Sequence, residues 1–166
     1  MALVLDGSLG VTFPVTAGSA SAVQASSGRV LQVVQTTYST SISTTSTSFV
    51  STGITASITP SSASNKVLCI VDVNGVGKSG GNGNIDLQLV RGSTVISSFE
   101  GIAGNTSTTA TNYIGNCGIT YLDSPSTTSS TTYTVKYAAD FAGTAYINSA
   151  ASSASMSQIT LMEIAA

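Results

Sequence analysis

The stretch Asn74-Gly75-Val76-Gly77-Lys78-Ser79 follows the apolar run Lys66–Val73 and ends like a phosphate-binding loop, with a lysine beside a hydroxyl. In such a loop, backbone N–H groups cradle phosphates, the lysine reaches their oxygens and the hydroxyl holds Mg²⁺. The pattern also needs a glycine where Asp72 stands and a following helix whose N-terminus completes the anion site. Here Gly80-Gly81-Asn82-Gly83-Asn84 follows, a poor helix former. The segment Gly75–Asn84 therefore reads as a glycine-rich hairpin loop.

Other residues invite chemistry, and each has a plainer account. Asn82, Asn84 and Asp86 place oxygen-bearing side chains at alternate positions, like the first half of a calcium loop, but the required glycine and the distal glutamate are missing. A polar turn entering a strand accounts for them. Asp72, Glu100, Asp123, Asp140 and Glu163 are dispersed. Folding could pair two of them as in a glycosidase, yet the aromatic platforms that accompany sugar hydrolysis are scarce, with no Trp and 6% aromatic residues. The chain has no His, the side chain most often used for proton transfer near neutral pH. The expectation is a non-enzyme with no catalytic residue, no bound metal and no cofactor. Cys69 and Cys117 each sit in an apolar strand and read as buried free thiols acting as small hydrophobes; a cross-strand disulfide stays open if the two strands pair. Asn105-Thr106-Ser107 fits a glycosylation sequon and reads as incidental. Tyr113, Tyr121, Tyr133, Tyr137 and Tyr146 read as core or interface packing with hydroxyls at the rim.

Composition narrows the classes further. Charged residues are 7% of the chain, against a usual quarter or so, while roughly a third of positions are Ser or Thr. Hydrophobic residues make up 42%, mean hydropathy is +0.34 and net charge is −2, the reverse of a disordered chain. At 166 residues there is matter for one domain with a real core. Five dispersed Lys and Arg make no basic patch, so nucleic-acid binding is not expected. No apolar run approaches the ~18 residues that cross a bilayer, and Met1–Asp6 lacks the basic start of a secretory signal. Folding in a reducing cytoplasm is the expectation. Low net charge suits a subunit packed at high local concentration.

The elements that must position these residues are strands. Val30–Gln35, Phe49–Ile58, Lys66–Val73, Ile85–Arg91, Thr94–Glu100, Asn112–Leu122, Thr132–Ala139, Thr144–Asn148 and Gln158–Ile164 carry β-branched enrichment or a period of two. Ile54, Ala56 and Ile58 share one face. Lys66–Val73 is apolar enough for burial on both faces. Pro60–Asn65 is a turn cluster, and Gly75–Asn84, Gly101–Thr111, Asp123–Thr131 and Ser149–Ser155 are loops. Thr36–Ser48 reads as an exposed edge strand in which Tyr38, Thr40 and Ile42 keep the period. Ala20–Ala25 and Ala150–Ala154 could each make a helical turn. The expected fold is all-β, an antiparallel β-sandwich of jelly-roll type over 29–166, preceded by an extended anchoring arm over 1–28. Leu3, Leu5, Val11 and Phe13 are the arm's apolar anchors, which an isolated arm cannot bury by itself.

Two sets of segments resemble a known class. Leu5–Pro14 (Leu-Asp-Gly-Ser-Leu-Gly-Val-Thr-Phe-Pro) is similar to a segment recurrent in tailed-phage fibre and virion surface proteins. Gly28–Val34, Ser46–Phe49, Ile58–Ser62, Ser64–Leu68, Tyr121–Pro125, Thr132-Tyr133 and Ile159–Glu163 resemble small structural proteins of aquatic phages, especially cyanophages. The resemblance implies a β-sandwich that trimerises on the virion exterior, and it carries no catalytic residues. The leading expectation is thus a capsid decoration (cement) protein: a homotrimer bound to the major capsid protein on the capsid surface, clamped by the arm. The alternative is a tail-fibre or host-recognition tip whose loops Gly75–Asn84 and Gly101–Thr111 bind a cell-surface glycan. A carbohydrate-active enzyme is the third and least favoured class.

Overall fold

The computed structural model describes residues 4–6, 10–12, 27–140, 143–149 and 155–166. Among these the regular structure is entirely β: β1 (Val4–Asp6), β2 (Gly10–Thr12), β3 (Val30–Tyr38), β4 (Ile42–Thr44), β5 (Val50–Ile58), β6 (Lys66–Ser79), β7 (Asn84–Arg91), β8 (Thr94–Ala103), β9 (Asn112–Asp123), β10 (Thr131–Asp140), β11 (Thr144–Ile147) and β12 (Ser157–Ile164). Of the four arm anchors, Leu3 and Phe13 lie outside the described residues, while Leu5 pairs with Val11 through the backbone of the short β1–β2 ribbon. Ala20–Ala25 and Ala150–Ala154 also lie outside them.

The spine of the larger sheet is β6. One of its edges pairs with β9 from Val67 to Lys78. Its other edge is shared: Lys66–Asp72 pairs with β12 and Gly77–Ser79 with β11. β11 and β12 therefore lie in line, with residues 148–156 between them in the sequence. β3 and β4 lie in line beyond them, paired with β12 and β11 respectively. The expected edge strand Thr36–Ser48 is accordingly split, because its partner column leaves the ladder opposite residues 39–41. Asn148 stitches the gap, donating from Nδ2 to the carbonyls of Tyr38 at 2.9 Å and Thr40 at 3.2 Å. The second sheet runs β5-β10-β7-β8, and every pairing in both sheets is antiparallel.

The two sheets share one apolar core, an arrangement consistent with a β-sandwich. Val67, Val71, Ile159 and Leu161 from the larger sheet meet Ile54, Leu87, Leu89 and Val135 from the smaller. Ile54, Ala56 and Ile58 all point inward, as their alternation requires. Lys66–Val73 departs from expectation. Only Val67, Cys69, Val71 and Val73 are buried, whereas Leu68 and Ile70 occupy the outward face and remain half-buried. The strand also continues to Ser79, because Gly75 and Gly77 let the ladder bend through register shifts without breaking.

Two polar devices tie the layers. Arg91 Nη1 binds both oxygens of Asp123 at 2.8 and 2.7 Å, and Tyr133 Oη donates to Asp123 Oδ2 at 2.7 Å, so β7 and β10 of one sheet are pinned to β9 of the other. Glu163 is 1% exposed. Its Oε1 accepts from Ser61 N (2.7 Å), Ser61 Oγ (2.7 Å) and Asn65 Nδ2 (2.6 Å), and its Oε2 from Gln32 Nε2 (2.6 Å). That carboxylate holds the corner between β5 and β6 against β12.

Candidate functional site

The fold takes the chemical candidates apart. Lys78, fully buried, points its ammonium at Gly80 O (2.8 Å), Thr106 Oγ1 (2.5 Å) and Thr108 O (3.2 Å), clasping the β8–β9 loop to the β6–β7 turn. It is a structural tie whose ammonium is already bound to three oxygens of the protein itself. Asn84 turns its Nδ2 toward Asp86 Oδ1 (2.9 Å) and Gly101 O (3.0 Å), so the alternating Asn82, Asn84 and Asp86 do not converge as oxygen ligands.

The carboxylates are placed separately. Asp72 lies on the outward face and accepts from Gln158 Nε2 at 3.0 Å. Glu100 Oε1 accepts from the backbone N–H groups of Gly101 and Ile102. Asp123 and Glu163 are committed to the two devices above. Sequence spacing hid one grouping: Asp86 on β7 feels the charges of Asp140 on β10 and Glu100 on β8. Burial first, and then the repulsion of Asp140 and Glu100, raise the Asp86 carboxyl above its ordinary value against the lowering hydrogen bond from Asn84.

Cys69 and Cys117 are both buried and free. Their strands do pair, but Cys69 faces Tyr121 and Cys117 faces Val73, so the thiols are offset along the ladder. Burial, reinforced by Asp123, pushes Cys69 up to about 12, and burial with Glu100 pushes Cys117 up to about 11. Neither is a thiolate nucleophile at neutral pH. Tyr133 is raised as well, by burial and by its hydrogen bond to Asp123.

Two surface features remain, both on the outward face of the larger sheet. The first is an apolar row. Val33, Met162, Leu68 and Leu122 are successive cross-strand partners on β3, β12, β6 and β9, and they lie side by side across the whole sheet. Val33 is 55% and Leu122 49% exposed at the two ends. Ile70 extends the row into the next rung of β6, and Lys66 and Asp72 flank it along that strand.

The second is a concavity of about 580 Å³ at the point where β11 gives way to β12. Three left-handed residues gather around it: Gly75 (φ 57°), Gly115 (φ 104°) and Asn148 (φ 54°). Among the described residues the lining is amide, hydroxyl, glycine backbone and two apolar side chains, Tyr113 and Met156, with no charged group. Asn116 Nδ2 donates to Asn74 Oδ1 (3.0 Å), and Asn74 Nδ2 donates to Met156 O (2.9 Å). Beneath them a buried relay fixes the backbone: Asn148 N donates to Asn74 O (2.9 Å), Ser157 Oγ to Asn148 Oδ1 (2.6 Å) and Asn74 N to Ser157 Oγ (2.9 Å). Sequence reasoning placed Tyr113 among packing residues and gave Asn116 and Met156 no role. The available signal was the isolated glycines inside apolar strands, Gly75, Gly77, Gly115 and Gly118, which mark bulges or close approach.

Among the described residues, fold and surface together define an all-β protein of two large antiparallel sheets with an apolar row and a neutral polar concavity on the outer face of one of them. No protein-family model matches the chain, and no curated protein is similar to it in sequence.

Proposed function

We propose that this chain is a structural subunit of a phage particle, a capsid decoration protein that forms a homotrimer and packs on the major capsid protein. The observation that carries the reading is the apolar row Val33–Met162–Leu68–Leu122, which an isolated subunit leaves facing water. Burying such a row against a second copy gains hydrophobic free energy, and the thin charge around it costs little to desolvate. The sequence resemblance to virion surface proteins supports the setting. The proposed topology is a jelly roll. With β3/β4 and β11/β12 each counted as one column, the columns in chain order pair first-eighth-third-sixth and second-seventh-fourth-fifth, the order of two interwound Greek keys.

Sedimentation equilibrium of the full chain tests the assembly. The expected mass is that of a trimer, and Leu68→Asp yields a monomer with an unchanged β-type circular dichroism spectrum. Leu122→Asp, on the edge strand β9, is the companion variant should Leu68→Asp fail to fold. A wild-type chain that stays monomeric across the concentration range, or an intact trimer in a folded variant, removes the proposal.

A further inference from the structure

We propose that the concavity between β11 and β12 is a binding site for a neutral saccharide, with Tyr113 as the stacking platform and Asn116 as the principal polar contact. This is independent of the assembly reading.

The first argument is the ring. A Cβ on Gly77 would lie 2.9 Å from Tyr113 Cδ1, so the tyrosine lies down on the bare backbone of β6 and Gly77 is what lets it do so. One side of the ring is therefore occupied by the strand, and the residue is still 49% exposed. A flat, pre-positioned aromatic face at the edge of a depression offers the weakly polar C–H face of a sugar ring an apolar surface without a large ordering cost. Gly115 adds room beside it, since nothing lies within 4 Å of the position its Cβ would take.

The second argument is polarity. Sugar hydroxyls both donate and accept, so they are best met by groups that do the same. Asn116 donates its Nδ2 to Asn74 Oδ1, which fixes the orientation of this amide at the wall. Ser149 and Ser155 add hydroxyls to the wall. Among the described residues the lining carries no Lys, Arg, Asp or Glu, so a charged ligand entering it would lose hydration with no counter-charge in return. That selects neutral sugars over uronic acids and amino sugars. The volume falls within the roughly 300–1,000 Å³ of small-molecule sites.

The third argument is that the depression is built. The ladder between β11 and β12 is interrupted, Asn148 is held in a left-handed conformation, and the buried Asn148–Ser157–Asn74 relay fixes the floor. A Cβ on Gly75 would sit 2.7 Å from Ser149 N. Strained backbone over-determined in this way marks a place whose shape is being maintained.

The test is a ¹H–¹⁵N NMR titration of the full chain with glucose, galactose, mannose and N-acetylglucosamine, and with glucuronic acid and glucosamine as charged comparators. The expected result is saturable shifts at Tyr113, Gly115, Asn116 and Met156 for at least one neutral sugar, with a dissociation constant on the order of millimolar. Tyr113→Ala and Asn116→Ala should each weaken that binding about tenfold or more. Asn116 is exposed, so its variant keeps the experiment decisive should Tyr113→Ala disturb the sheet. The proposal is overturned by absence of saturable shifts with every neutral sugar up to about 50 mM, by shifts that map elsewhere, or by equal binding of the charged comparators. Loss of the trimer with retained sugar shifts would count against the assembly reading alone.

Discussion

Glu163 shows how a single buried charge is kept. Burial by itself would raise its carboxyl, but hydrogen bonds from Gln32, Asn65 and Ser61, side chain and backbone, outweigh it and hold the group at about 2, below its ordinary value of 4.5. A carboxyl depressed by folding contributes stability that is present above its unfolded value and is lost as pH falls through the folded one. The window is therefore about pH 4.5 down to 2. Glu163→Gln removes the titration and weakens charge-assisted bonds, which should cost about 2 kcal/mol at neutral pH, or roughly 4–8 °C in Tm. Thermal melts of both proteins from neutral to acid pH check this: the two curves should converge toward pH 2. Asp86, raised by burial and its acidic neighbours, has the opposite pH dependence, but it is common to both proteins and cancels in the comparison. A constant offset between the curves would mean that Glu163 is held by packing and not by its charge.

At the scale of elements, the glycines of β6 separate a strand that bends from one that stops. Gly75 combines a left-handed φ of 57° with backbone crowding from Ser149 N at 2.7 Å and Asn148 C at 2.9 Å. Gly92, at the β7–β8 turn, has a nearly identical φ of 56° and open space around it. Gly92→Ala should cost only the left-handed penalty of about 1 kcal/mol, whereas Gly75→Ala adds a clash with main chain and should cost about 3 kcal/mol in all. Urea titrations of the two variants measure the difference; equal losses would show that the backbone of Asn148 and Ser149 yields freely around Gly75. The same glycines explain what the sequence could and could not reveal. The period of two in β5 and the apolar inward positions of β6 are local facts, and they placed most strands correctly. That Asn74–Ser79 stays in the sheet depends on Tyr113 roofing Gly77 from a strand some 36 residues away, and no local pattern encodes that. The concavity is hidden for the same reason, because its wall is assembled from β6, β9 and the two ends of an interruption. Hydroxyls follow this logic too. Ser57 with Thr132, and Thr55 with Thr134, share hydrogen bonds across β5 and β10 at 2.7 and 3.0 Å, so part of the Ser/Thr excess serves as cross-strand ladder and not as loop.

For the whole molecule, four of the twelve charged side chains are spent internally: Asp123 on Arg91, and Lys78 and Glu163 on backbone and neutral side chains. In the assembly proposed above, the low net charge would oppose a neighbouring copy only weakly and the apolar row would supply the attraction. A subunit of this kind is suited to repetition, because one isologous or cyclic contact, repeated by symmetry, serves every copy alike. Repetition is also what separates the two virion readings. A decoration protein follows the symmetry of the capsid lattice and should be present on the order of hundreds of copies per particle, while a fibre or tip follows the tail and is limited to tens at most. Quantifying the chain against the major capsid protein in purified virions therefore decides between them. The decoration reading expects a fixed stoichiometry to the capsid lattice, retained in particles whose tails have been sheared away. Tens of copies, lost together with the tails, would transfer the protein to the tail, and the saccharide site on its outer sheet would then face a host surface in place of the medium around the capsid.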